Sequence, residues 1–355
     1  MTEPRKDVAP KAVALISGGL DSMLAAKVVM DQGVHVEGVN FFTGFCVEGH
    51  TQAIRERKKS KAPKRNNALW VAEQLGIKLH IIEVIEEYKD VVLNPKHGYG
   101  TNLNPCLDCK IFMVNKAQAW GFMEENGFDF IITGEVIGQR PKSQRKDTMP
   151  VIARESGAED RLLRPLCAHH LPETLPEREG WVDRDALFGF HGRNRKPQLE
   201  LAERLGFSDW AQPAGGCCFL TNPDYSDKLQ DLWNARGHRD YDLDDIMLLK
   251  VGRHLRPGPS FKLILGREEG ENRYLEGYRK RFITLRSLSH RGPLCLVDGT
   301  PGREDLTLAA RILARYSQGR DAERVQIGID SPEGHGEVLD VTPLPPHEVR
   351  DEWWV

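Results

Sequence analysis

The 355-residue chain has no run approaching the roughly 18 consecutive apolar residues of a membrane-spanning helix. No apolar core of signal-peptide length follows the charged start, Met1 to Lys11. Both absences point to a cytoplasmic protein with no membrane partner. The chain also lacks a surplus of either charge: 49 Lys and Arg stand against 52 Asp and Glu, a net charge of −3. Bulk charge therefore does not attract nucleic acid, and any such contact must come from local patches. With 28% charged and 40% hydrophobic residues the composition is globular rather than disordered, and the length suggests two or three domains.

Four basic patches are present. They are Arg55 to Arg65, Arg140 to Lys146, Arg193 to Lys196, and Tyr278-Arg-Lys-Arg-Phe282, the last with aromatics beside the charges. Each alone reads equally as a solvated face, but together they suggest a phosphate-binding surface and an RNA partner.

Ten residues into the chain, Ala12-Val-Ala-Leu-Ile16 reads as a short strand running through Ser17-Gly18-Gly19 into a helix from Leu20 to Gln32. The pattern suits a phosphate. Paired glycines let backbone approach an anion without Cβ clashes, and the N–H groups and dipole of the helix start point at it. Ser17 and Ser22 add hydroxyls, and Asp21 is of the right type to hold a magnesium ion brought by the phosphates. The alternation continues with strands at Val34–Phe42, Lys78–Val84 and Phe128–Thr133 and helices at Asn67–Leu75 and Phe112–Asn126. This implies an α/β fold, a Rossmann-like parallel sheet with helices on both faces. Ligands would bind at the carboxyl ends of its strands, where the Ser17–Ser22 loop falls.

Seven cysteines carry the remaining chemistry. Cys106-Leu-Asp-Cys109 is a Cys-x-x-Cys pair behind Asn104-Pro105, and Pro213-Ala-Gly-Gly-Cys217-Cys218 adds one or two thiols on a Gly-rich loop. In an intracellular chain such a set reads as metal-binding or redox-active. Three thiolates suit a [4Fe–4S] cluster with one open iron. A zinc site would need Cys218 or a histidine such as His169 as fourth ligand. A metal-free alternative has one cysteine carrying a persulfide and another resolving it as a disulfide. Cys46, Cys167 and Cys295 read as small buried hydrophobes.

The string Ser17-Gly-Gly-Leu-Asp-Ser22 resembles the PP-loop of the ATP pyrophosphatase superfamily. With Asn104-Pro-Cys-Leu-Asp-Cys-Lys110, Gly134-Glu-Val-Ile-Gly-Gln-Arg140 and Pro213-Ala-Gly-Gly-Cys217, the chain is similar over residues 10 to 222 to the tRNA thiouridine synthetases, near the 4-thiouridine and 2-thiouridine branches. The resemblance implies an ATP-dependent tRNA sulfurtransferase. ATP, with Mg2+, would be bound by Ser17, Gly18, Gly19, Asp21 and Ser22. A uridine carbonyl oxygen would be adenylylated, pyrophosphate released, and AMP displaced by sulfur handled at Cys106, Cys109 and Cys217, the expected ligands of the [4Fe–4S] cluster. Asp21 counts with the three cysteines as catalytic. Glu135, Gln139 and Arg140 would lie at the same sheet edge, in reach of ATP or tRNA, and Lys110 would sit beside the cluster or a phosphate.

The family's additional RNA-binding domain does not fit before Ala12, and a rhodanese-like sulfur carrier is not evident, so free sulfide and a persulfide carrier both remain as donors. Instead, Val251-Gly-Arg-His-Leu-Arg256, Lys262 to Asn272 and an amphipathic helix over Asp305–Tyr316 resemble an NFACT-R-type module, which implies a smaller C-terminal α+β domain and RNA contact. The expected division is 1–235 for the catalytic domain, 236–330 for this module, and 331–355 for an extended, proline-bearing tail ending in Trp353-Trp354, with self-association left open. Two other functions fit the same residues. One is a PP-loop enzyme activating a small molecule for sulfur transfer or amide or nitrile formation. The other is an RNA-binding protein whose PP-loop is not catalytic.

Overall fold

The structure, a computed structural model, describes residues 9–47, 65–122, 125–210 and 217–355. Two compact units divide the chain, the first built from residues up to 46 and from 65 to 217, the second running from 218 onward.

In the first unit strand and helix alternate: β1 (Lys11–Leu15), α1 (Leu20–Met30), β2 (His35–Phe42), α2 (Asn67–Leu75), β3 (Leu79–Glu83), α3 (Ile85–Leu93), α4 (Cys106–Gly121), β4 (Phe130–Ile132), α5 (Thr148–Glu155), β5 (Leu162–Leu163), α6 (Leu175–Arg178) and α7 (Lys196–Arg204). The five strands form a parallel sheet in the order β3-β2-β1-β4-β5, with Ala12 opposite both Val36 and Phe130. Alternate residues of β1 serve two cores. Ala12 and Ala14 pack with α1, α2 and α7, whereas Val13 packs with α4 and α5. That is the period-2 signature of a sheet covered on both faces. The strand order reverses at β1, so the topological switch point lies between the carboxyl ends of β1 and β4.

One helix begins earlier than the sequence suggests. The helix expected over Phe112–Asn126 runs from Cys106 to Gly121. Pro105 is its N-cap, a position where the missing N–H costs nothing, so Cys106 and Cys109 stand on the helix rather than ahead of it.

In the second unit α8 (Pro223–Arg236) and α9 (Leu243–Leu248) precede β6 (Arg253–Gly258), β7 (Phe261–Leu265), α10 (Glu269–Glu276), β8 (Ile283–Ser287), β9 (Leu294–Gly299), α11 (Arg303–Arg315), β10 (Val325–Asp330) and β11 (Gly336–Val341). The strands make one antiparallel sheet in the order β11-β10-β8-β9-β7-β6. The apolar stripe of α11 packs on one face against Phe261, Leu285 and Ile327. On the other face Leu248 and Leu275 pack against Ile264 and Leu296. Its continuous C-terminal stretch runs from Cys218 rather than from 236, and it contains the expected tail. Residues 331–355 are not an extended arm: Val341 to Gly336 pair with β10 from Val325 to Asp330, and Trp353 is buried in the unit's core. Burial of Val341, Leu344 and Trp353 offsets the ordering cost that the prolines alone would not suggest.

Candidate functional site

The Ser17–Ser22 loop closes β1 at the switch point. Gly18 takes φ +80, and a Cβ there would lie 2.8 Å from the Ala68 nitrogen and the Asn67 Cβ, so only glycine permits this turn against α2. Ser22 shapes the loop from within. Its hydroxyl accepts from the Ser17 N–H at 3.3 Å and donates to the Gly19 carbonyl at 2.8 Å. Gly19 is the N-cap of α1 and has no side chain with which to cap it, so the first-turn N–H groups have no acceptor from the N-cap residue. The start of α2, by contrast, is capped by Asn66, which accepts from Ala68 and Leu69. An uncapped helix start behind a glycine turn is suited to an anion.

From the far side of the switch point, Gly134 presses onto α1. A Cβ there would stand 2.4 Å from the carbonyl carbon and oxygen of Asp21. The Asp21 carboxylate is already engaged: Gln139 donates to it at 2.5 Å, and Arg195 Nη2 lies 3.2 Å from both oxygens. Gln198 donates to Gln139 at 2.9 Å and completes the chain of contacts. As arranged, Asp21 is the counter-ion of Arg195.

Glu135 also departs from expectation. Rather than facing ATP or tRNA it is buried against Arg164, 3.0 Å from Nε, with Thr133 donating at 3.2 Å. Burial would raise its pKa, but the Arg164 guanidinium, helped by Lys110, holds the carboxyl below the usual carboxylate range. Arg164 also donates to the Met149 carbonyl, so the pair ties β4 and the segment after β5 to α5. Arg140 remains exposed at the sheet edge.

The cysteines gather in part. Cys106 and Cys109 share one face of the first turn of α4. The Cys106 thiol donates to the Ser143 hydroxyl at 3.4 Å. Cys109 is hydrogen-bonded by Tyr88, a buried residue of α3 packed on Phe112. Burial, and next the proximity of Cys217, push the Cys109 thiol up to about 12. Cys217 is thus within electrostatic reach of Cys109, and it is exposed. Cys218 falls in the second unit, and the His169 Nε2 is taken up by the Arg184 carbonyl at 2.9 Å. Among the described residues no three His, Cys, Asp or Glu side chains lie so as to hold a metal ion. The Cys106 thiol, too, lies within electrostatic reach of Cys109. Cys167 and Cys295 are fully buried, as expected, while Cys46 is half-buried beside Thr43.

Sequence reasoning missed Tyr88, Ser143, Arg164 and Gln198. None stands within the motifs, and only their contacts mark them.

Compared with known proteins, residues 10–155 match the model of the tRNA methyl transferase HUP domain and residues 252–354 that of the NFACT protein RNA binding domain. One match falls in each half of the chain. A tRNA-specific 2-thiouridylase MnmA of Campylobacter curvus is 28% identical over 130 residues, 36% of this chain and 35% of that protein. A tRNA-specific 2-thiouridylase MnmA of Pelobacter propionicus is 24% identical over 320 residues, 89% of this chain and 78% of that one. The chain thus spans about a third of the first of these relatives and over three quarters of the second. Among solved structures, a 4-thiouridine synthetase in complex with RNA and ATP is 24% identical, covering 56% of this chain and 41% of its own, with a TM-score of 0.36. The PP-loop unit's own topology, five parallel strands switching at β1, fixes its fold class. No helix among the described residues is long and apolar enough to cross a membrane.

Proposed function

We propose that this chain is an ATP-dependent tRNA sulfurtransferase that makes thiouridine. One observation carries the reading: within the PP-loop unit, an uncapped α1 start behind Gly18-Gly19 accompanies a Cys109–Cys217 pair within electrostatic reach of each other. The names of the relatives, tRNA-specific 2-thiouridylases, support tRNA as substrate.

A uracil carbonyl oxygen is a poor leaving group until it is esterified. Attack of that oxygen on the α-phosphorus of ATP expels pyrophosphate and leaves an O-adenylyl base. The loop's N–H groups are suited to the charge on the triphosphate and on departing pyrophosphate. Exposure suits Cys217 to take a sulfur atom from a donor as a persulfide. The terminal persulfide sulfur attacks the activated carbon and AMP leaves with the oxygen. The Cys109 sulfur then attacks the Cys217 sulfur, its proton passing to the base as the thiocarbonyl forms, so that a disulfide results and the transferred sulfur stays on the base. An external dithiol must reduce the disulfide before the next turnover. This metal-free route, rather than a [4Fe–4S] cluster, is favoured because Cys106 is engaged with Ser143 and no three-ligand set stands among the described residues.

Purified protein incubated with ATP, magnesium, a persulfide donor, a dithiol and unmodified tRNA is expected to yield a thionucleoside by mass spectrometry. Loss of product is expected for Cys109→Ala and Cys217→Ala, with Cys106→Ala retaining activity. An iron-dependent activity lost equally in all three variants would replace this route with the cluster. ATP turnover stimulated by a metabolite and indifferent to tRNA would replace the substrate.

A further inference from the structure

Two of the basic patches in the PP-loop unit are joined at the backbone. The Ile137 and His191 segments form a parallel β-bridge, and the Gly192 N–H donates to the Ile137 carbonyl at 2.6 Å. Gly138 lies so close that a Cβ on it would be 3.3 Å from Gly192 Cα. The loop after β4 and the loop before α7 thus form a single rim. Its inner members, Gln139 and Arg195, hold Asp21 of the PP-loop. Its outer members, Arg140, Lys142, Lys146 and Arg193, are exposed, and each is without an acidic partner among the described residues.

Most of the other basic side chains among the described residues have an acidic partner. Arg145 and Lys196, on the same loops, pair with Asp147 and Glu200. Arg65 pairs with Asp209, and Arg281 in the aromatic-flanked patch pairs with Asp242 and Asp244. Residues 55–64 of the longest patch lie outside the described residues. Four uncompensated, solvated cations on one rim suit a polymer of phosphates better than a single enclosed anion. Residues 138–146 contain no aromatic side chain on which a base would stack, and the one ring across the bridge, His191, is packed edge-on against His170. We infer that the rim formed by residues 138–146 and 191–196 grips the sugar-phosphate backbone of the RNA substrate, supplying affinity and register rather than base recognition. This rests on the RNA substrate proposed above. It gives the PP-loop unit an RNA surface of its own, separate from any in the NFACT-R unit.

The test is binding of unmodified tRNA to the full chain across a salt series, for wild type and for Arg140→Ala/Lys142→Ala/Lys146→Ala/Arg193→Ala. Lys78→Ala, at the opposite edge of the same sheet, is the control. Four lost phosphate contacts are expected to flatten the slope of log K against log salt by about 3 and to weaken binding at least tenfold at low salt. ATP binding should be unchanged in Lys142→Ala/Lys146→Ala/Arg193→Ala, which spares Arg140, and the control should bind as wild type does. An unchanged slope in the quadruple variant, or a wild type without affinity for RNA, would overturn the rim. So would a variant that keeps RNA binding but no longer takes sulfur from an acidic carrier protein, since the rim would then be a protein-docking surface. If wild type binds RNA with a steep slope that the variant loses, yet makes no thionucleoside, the rim stands and the sulfurtransferase reading falls.

Discussion

Arg195 and Asp21, 174 residues apart in sequence, form an ion pair at the mouth of the PP-loop with Arg195 Nη2 3.2 Å from both carboxylate oxygens. The pair neutralises an acidic side chain where a triphosphate is expected. Arg195→Ala should leave the Asp21 charge to repel the nucleotide, raising the KM for ATP about tenfold, the equivalent of ~1.4 kcal/mol. Because both partners are partly exposed, the cost in stability should stay below about 1 kcal/mol. ATP kinetics together with a thermal melt separate the two effects.

Gly134→Ala should act in the opposite proportion. Its new methyl group would meet the Asp21 carbonyl at 2.4 Å, so either α1 or the segment after β4 must shift. A loss of about 1–3 kcal/mol in urea unfolding is expected, accompanied by loss of nucleotide binding.

The Glu135–Arg164 pair predicts a pH dependence. Since the folded protein holds the Glu135 pKa below its ordinary value of 4.5, the pair's contribution is complete above that value and is lost as pH falls through the lower, folded-state value. Glu135→Gln should remove this part of the acid sensitivity and leave Arg164 buried without a counter-charge, at a cost of about 3–5 kcal/mol at neutral pH. Chemical unfolding of both proteins between neutral and acidic pH checks the sign. A variant as stable as wild type at pH 7 would contradict it.

The two cysteines proposed to handle sulfur should differ in reactivity. With its thiol pushed up to about 12, Cys109 is almost wholly protonated at pH 8, whereas Cys217 is exposed. Brief iodoacetamide treatment followed by peptide mapping should label Cys217 heavily and Cys109 scarcely. Labelling of Cys109 should rise as pH is increased. Equal labelling at pH 8 would count against the buried setting.

How far the sequence foretold this site depended on how local each signal was. The Ser17–Ser22 loop was legible because its geometry is set by adjacent glycines and a following helix. The alternation of β1, α1 and β2 was legible because each element carries its own period. The start of α4 was misread because Pro105 reads as a stiff turn, although proline is equally at home just before a helix. The tail was misread because its prolines mask the alternation of residues 336–341, which becomes a strand only once β10 is beside it.

By itself, then, the amino-acid sequence determined the glycine turn after β1, the doubly covered parallel sheet and the Cys-x-x-Cys spacing. These depend on backbone sterics and on hydrophobic periods a few residues long. Only the tertiary structure decided that Asp21 answers Arg195, that Glu135 is buried against Arg164, that Cys106 turns to Ser143 while Cys109 meets Tyr88, and that two basic loops form one rim. Partners of that kind are chosen by proximity across the fold. A charged or thiol side chain carries no local mark of which distant group will neutralise it, bury it or leave it free.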